Sequence, residues 1–160
     1  MNTKKLKGFT LVELIVVIAI IGVLAAILIP TMMGYVNKAK FTNANSIAKN
    51  LYNAGMAACR EGEVTVPVSD GIYSSVKYGS SGAGAAVKYD EDFCKYVYAY
   101  FDGIKDTCWA IEVQSDCAVA ACYQKTSADP YLGTHPCQNN LKQTKTDFDA
   151  FLEYARTGKW

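Results

Sequence analysis

The sequence predicts an α+β fold: a long N-terminal helix packed on a small antiparallel sheet head, with a disulfide-braced C-terminal region. Three observations predict it. Residues 9–29 form an apolar run whose one charged residue is Glu13. After Pro30, apolar residues recur in steps of three and four, the spacing of one helical face. Beyond residue 90, β-prone segments alternate with turn signals, and six cysteines are spread from Cys59 to Cys137.

A chain of 160 residues holds one globular domain beside that N-terminal segment. The net charge is +1, and the first eight residues contribute three lysines and no acid. The remainder carries 13 basic and 15 acidic residues. Near neutrality gives no electrostatic case for nucleic acid as a direct, specific partner.

Residues 1–8, MNTKKLKG, read as a basic leader, and residues 9–30 as a membrane-spanning helix. A secretory signal peptide would be cut after its apolar core. The small-residue match at Val23-Leu24-Ala25 instead sits inside the run, with Ile27, Leu28 and Ile29 still to come. A plain anchor accounts for the length, since residues 14–29 alone make about 24 Å of helix. It would keep Lys4, Lys5 and Lys7 on the cytoplasmic side. It does not account for Glu13. A carboxylate in hydrocarbon costs roughly 2.5–3.5 kcal/mol unless it is paired or snorkels to the interface. Cleavage between Gly8 and Phe9 would explain it. The run is then retained, its first residue bears a free amine, and Glu13 lies about one helical turn away. Pairing with that amine, on the same chain or a neighbour, would set the axial register of parallel helices.

The segment Gly8-Phe9-Thr10-Leu11-Val12-Glu13-Leu14, with its basic leader and the apolar run ending near a proline, resembles the processing site of type IV pilins and the related pseudopilins. The resemblance covers residues 1 to about 60. It implies cleavage after Gly8 by a prepilin peptidase and N-methylation of Phe9. It implies that Glu13 serves methylation and subunit docking. It implies extraction from the inner membrane by an assembly platform with its ATPase, into a helical homo-oligomeric filament. The implied protein is a structural pilin and no enzyme. Its head lies outside the membrane before assembly, and it ends in an extracellular pilus that serves adhesion, twitching motility or DNA uptake. The alternative within this architecture is a pseudopilin of a type II secretion or competence system. A membrane-tethered enzyme is the reading from another class, and no catalytic constellation, cofactor motif or metal cluster supports it.

Gly22 and Pro30 bracket a stretch that can bend or, by the same resemblance, melt in the filament, because Gly lowers helix propensity and Pro removes a backbone donor. Thr31 is placed to bond back to the preceding turn. Residues 31–62 read as the amphipathic half of the helix. The stripe runs through Met33, Val36, Ala44, Ile47, Leu51, Ala54 and Ala58, with Gly62 as the stop. Core packing is the ordinary use of such a stripe.

Residues 63–92 read as a variable loop region, rich in Gly and Ser at YGSSGAGAA. Its acidic end, Asp90-Glu91-Asp92, is a solvated turn or a weak calcium ligand set. Residues 93–125 read as the antiparallel sheet. FCKYVYAYF, the half-buried TCWAIEVQS and CAVAACYQK make a three-stranded meander, with turns at Asp102-Gly103 and Ser115-Asp116. Residues 126–160 read as a loop holding His135, followed by a short helix over TDFDAFLEYA. Cys59, Cys94, Cys108, Cys117, Cys122 and Cys137 are even in number and lie beyond a membrane segment, so they read as disulfides. A Cys108–Cys122 bridge is one guess among the pairings, and Cys59 is placed to tie the helix end to the head. Six cysteines across the head depart from the pair commonly found near the end of pilins.

Overall fold

The computed structural model describes residues 8–65, 68–75, 87–88, 90–126 and 129–136. Helix α1 runs Leu11–Thr65 with Pro30 inside it. It continues three residues past the expected stop at Gly62. The Thr31 hydroxyl donates to the Leu28 carbonyl at 2.8 Å, as its position after the proline suggested. The chain divides into two compact units, Met1–Lys38 and Ala39–Trp160.

In the first unit the apolar side chains are uncovered. Leu11 is 74% exposed, Ile18 59% and Ile29 61%. The stripe expected to begin at Met33 and Val36 is exposed at both positions.

In the second unit the stripe is buried. Ala44, Ala48, Leu51, Ala54, Ala58 and Cys59 of α1 join one core with Trp109, Ile111 and Val113, and Ile47 is partly buried against it. The small residues let a sheet come close. A Cβ added at Gly55 would stand 3.0 Å from Ile111 Cδ1, and one added at Gly133 would collide with the backbone of Ala44.

The sheet contains β1 (Gly71–Ser74), β2 (Val87–Lys88), β3 (Cys108–Gln114), β4 (Cys117–Gln124) and β5 (Gly133–His135), in the order β2-β1-β3-β4-β5. The β1–β2 pair is parallel and the others are antiparallel. Ser115 and Asp116, at φ 52° and 58°, make the two-residue turn between β3 and β4. The Ser115 N–H donates to Asp70 Oδ1 at 2.7 Å, which ties this hairpin to the start of β1. The register slips between Glu112 and Val113, so Val119 is the extra residue of a bulge. β5 is fastened to α1: the Thr134 N–H donates to Asn45 Oδ1 at 2.9 Å, and the His135 ring packs on Tyr52 at 4.6 Å.

Several expectations are corrected. Residues 93–101 are not a strand, because α2 spans Glu91–Tyr100. Asp90 caps it by accepting from the Phe93 N–H at 2.9 Å, and Phe93, Cys94 and Val97 are buried along one side. The β-propensity of the aromatics yields to a capped helix with an apolar face. Asp90-Glu91-Asp92 is thus the cap and first turn of that helix. The meander is accordingly β3-β4-β5, and His135 ends a strand where a loop was expected. β3 is not half-buried: from Cys108 to Val113 every residue is buried. It lies between β1 and β4, and its second row, Cys108, Ala110 and Glu112, is screened from solvent as fully as its first. The expected C-terminal helix lies outside the described residues.

Candidate functional site

The candidate site is the start of α1. Residues 8–10 precede the helix, Gly8 is exposed and Phe9 is 85% exposed. The Gly8–Phe9 bond therefore lies in accessible, non-helical backbone. Thr10 is the residue before the first helical turn and Glu13 stands in that turn.

Their side chains interlock. The Thr10 N–H and the Thr10 hydroxyl both donate to Glu13 Oε2, at 2.9 and 2.8 Å. The Glu13 N–H donates back to Thr10 Oγ1 at 3.3 Å. This is a capping box, in which two orphan donors of the helix start are satisfied reciprocally. A negative charge there also complements the positive end of the helix dipole. The reading of Glu13 as the partner of a Phe9 amine passed over this. In the chain as it stands, the Phe9 nitrogen is part of a peptide bond and the carboxylate is held by Thr10. The signal was present as Thr10-Leu11-Val12-Glu13, a Thr-x-x-Glu pattern before an apolar run.

The remaining site residues are dispersed. A Cβ at Gly22 would meet nothing within 4 Å, so no neighbour in the single chain requires glycine there. Pro30 is accommodated inside α1.

The expected disulfide bracing is not found at Cys94, Cys108, Cys117 or Cys122. Cys94, Cys108 and Cys122 are buried thiols and Cys117 is an exposed one. The guessed Cys108–Cys122 bridge is absent. Cys108 stands opposite Gln124 and Cys122 opposite Ala110, so the two thiols are diagonal neighbours on adjacent strands. Cys59 is buried in the core, and Cys137 lies outside the described residues. Burial, helped by the nearby Asp90 charge, pushes the Cys94 thiol up to about 11. Burial also raises Cys122 well above the usual range. Such thiols stay protonated and unreactive at neutral pH. Burial and the Lys49 charge lower His135.

The family model described as the prokaryotic N-terminal methylation motif matches residues 3–29. The chain is 46% identical over 63 residues to a fimbrial protein of Pseudomonas aeruginosa, covering 39% of this chain and 41% of that protein. It is 37% identical over 82 residues to the type IV major alpha-pilin of Moraxella bovis, covering 51% and 52%. The chain thus spans about half the length, or less, of these curated relatives. A fimbrial protein of Dichelobacter nodosus is 33% identical over 125 residues, covering 77% of this chain and 71% of that protein. No solved structure gives a significant match. A methylation motif laid over a capped apolar helix, a small sheet head packed on that helix's second half, and a relative matched over most of both chains together place this chain in the type IV pilin family.

Proposed function

We propose that this chain is a structural pilin subunit, cleaved after Gly8, N-methylated at Phe9 and polymerised through its N-terminal helix into a type IV pilus. The observation that carries this reading is the uncovered apolar face of α1. Full burial of one Leu, Ile or Val side chain stabilises by about 1.5–3 kcal/mol. More than a dozen such side chains between Leu11 and Ile29 are exposed in the single chain. A bilayer covers them before assembly, since this helix is long and apolar enough to cross one. Parallel copies of the same helix cover them in the filament. The partners this requires are a prepilin peptidase, an inner-membrane assembly platform and its ATPase. Glu13 sets subunit register, and the stretch between Gly22 and Pro30 supplies flexibility on assembly.

The relatives carry the names fimbrial protein and type IV pilin, which favours a pilin over a pseudopilin. The test is to shear cells, collect filaments and measure the intact mass and first residue of the subunit. A chain beginning at Phe9 with one added methyl group, recovered in filaments, is the expected result. A chain beginning at Met1 and confined to the membrane overturns the reading. Correct processing without shearable fibres moves it to the pseudopilin.

A further inference from the structure

We propose that Thr10 is the positioning residue for Glu13, holding the carboxylate on the residue that follows the nitrogen destined to become the N-terminal amine. Granted cleavage after Gly8 as proposed above, hydrolysis of the Gly8–Phe9 amide leaves a carboxylic acid on Gly8 and an amine on Phe9. N-methylation then forms a bond from that amine to a methyl group supplied by a sulfonium donor. The sulfur–carbon bond breaks, the donor leaves as a thioether and the nitrogen gives one proton to solvent. Nothing in this step requires the helix to begin at one residue. The geometry does relate the two.

Glu13 Oε2 is already fixed by two donors from Thr10, one of them the backbone N–H directly following Phe9. Glu13 Oε1 makes no hydrogen bond among the described residues. One oxygen is thus used to hold the carboxylate, and the other remains open for an amine one residue away. Without the threonine hydroxyl the Thr10 backbone N–H alone would hold the carboxylate, and its rotamer along the exposed helix would be less firmly selected. The hydroxyl also accepts the Glu13 N–H, so one oxygen atom fixes the backbone and the side chain of Glu13 together. The methylation-motif match over residues 3–29 supports processing at this place without reference to the geometry.

The same contacts could serve only to start the helix, and three substitutions separate the roles. Thr10→Ser keeps both the cap and the donor to Glu13. Thr10→Val removes the hydroxyl cap and the hydroxyl donor at nearly constant shape and leaves only the backbone N–H donor. Thr10→Asp keeps an excellent N-cap but sets a like charge against Glu13. Full-length variants are produced in cells with their own peptidase, and intact mass gives the methylated fraction among cleaved subunits. Wild-type and Thr10→Ser subunits are expected to agree within about twofold. Thr10→Val and Thr10→Asp are expected to lose at least about threefold of the methylated fraction while remaining cleaved. Methylation of Thr10→Asp at the wild-type level overturns the positioning role and leaves a helix cap. Failure of Thr10→Ser to exceed Thr10→Val overturns it as well, and that pair decides the matter if Thr10→Asp is poorly cleaved. A wild-type chain that keeps its leader overturns the processing reading and this inference together. A methylated wild type with an equally methylated Thr10→Asp overturns the inference alone.

Discussion

The two halves of α1 obey one rule with opposite materials. Residues 11–29 present Leu, Ile and Val to solvent, whereas residues 44–59 turn Ala, Gly, Leu and Cys toward a sheet. Where a helix meets its own head, small residues allow close approach, and Leu51 fills the space between them with Ile47, Tyr52 and Met56 partly buried beside it. Where nothing in the chain covers the helix, large apolar side chains all round leave the greatest area open to burial. Single-chain burial therefore separates residues that stabilise the head from residues left uncovered for the bilayer and filament contacts proposed above.

The largest expected difference comes from truncating one residue in each half. Leu51→Ala, at a fully buried site, should cost about 2–5 kcal/mol. Ile18→Ala should change head stability by less than about 0.5 kcal/mol while reducing filament yield. Thermal unfolding of the full chain in detergent, beside recovery of sheared fibres, measures both. Equal losses of head stability would break the comparison.

Glycine sharpens it. Gly133→Ala would drive a methyl group into the Ala44 backbone and should destabilise the head by about 1–3 kcal/mol. Gly22→Ala meets open space and should strengthen the helix by about 1 kcal/mol in the single chain. Any loss of filaments in Gly22→Ala would then report on assembly, because it could not come from the head. A smaller effect tests the second helix: Asp90→Ala removes the N-cap of α2 and should cost about 1 kcal/mol in denaturant unfolding.

The smallest effect concerns the thiols. Cys94 has a folded pKa near 11, above its unfolded value. Its contribution to stability is therefore complete below about pH 8.5 and lost as pH rises toward 11. Alkylation without reductant should label Cys117 in the native chain, and Cys94 and Cys122 only after unfolding. Resistance of Cys94 and Cys122 to alkylation after unfolding would restore the disulfide-braced head.

Much of the fold was legible because it depends on local periodicity. The run after Phe9, the stripe through Leu51, the Ser115-Asp116 turn and the strands on either side of it all follow from residues within a few positions of one another. FCKYVYAYF was misread because its composition favours a strand, while the deciding groups were the Asp90 cap and a core able to accept Phe93 and Val97. At the candidate site, Gly8, Phe9 and Glu13 stood out by their chemistry. Thr10 did not, because a threonine in an apolar run carries no charge to draw notice.

Sequence alone determined that one helix has two halves of different character, since hydropathy and a single misplaced carboxylate are properties of the chain itself. Tertiary structure decided which side chains that helix buries, whether aromatic residues 93–101 coil or extend, and whether neighbouring cysteines can meet. Those outcomes depend on long-range packing. Strand register puts Cys108 opposite Gln124, so it does not face Cys122, and a sheet pressed against Gly55 and Ala44 sets the room that every other residue of the head must share.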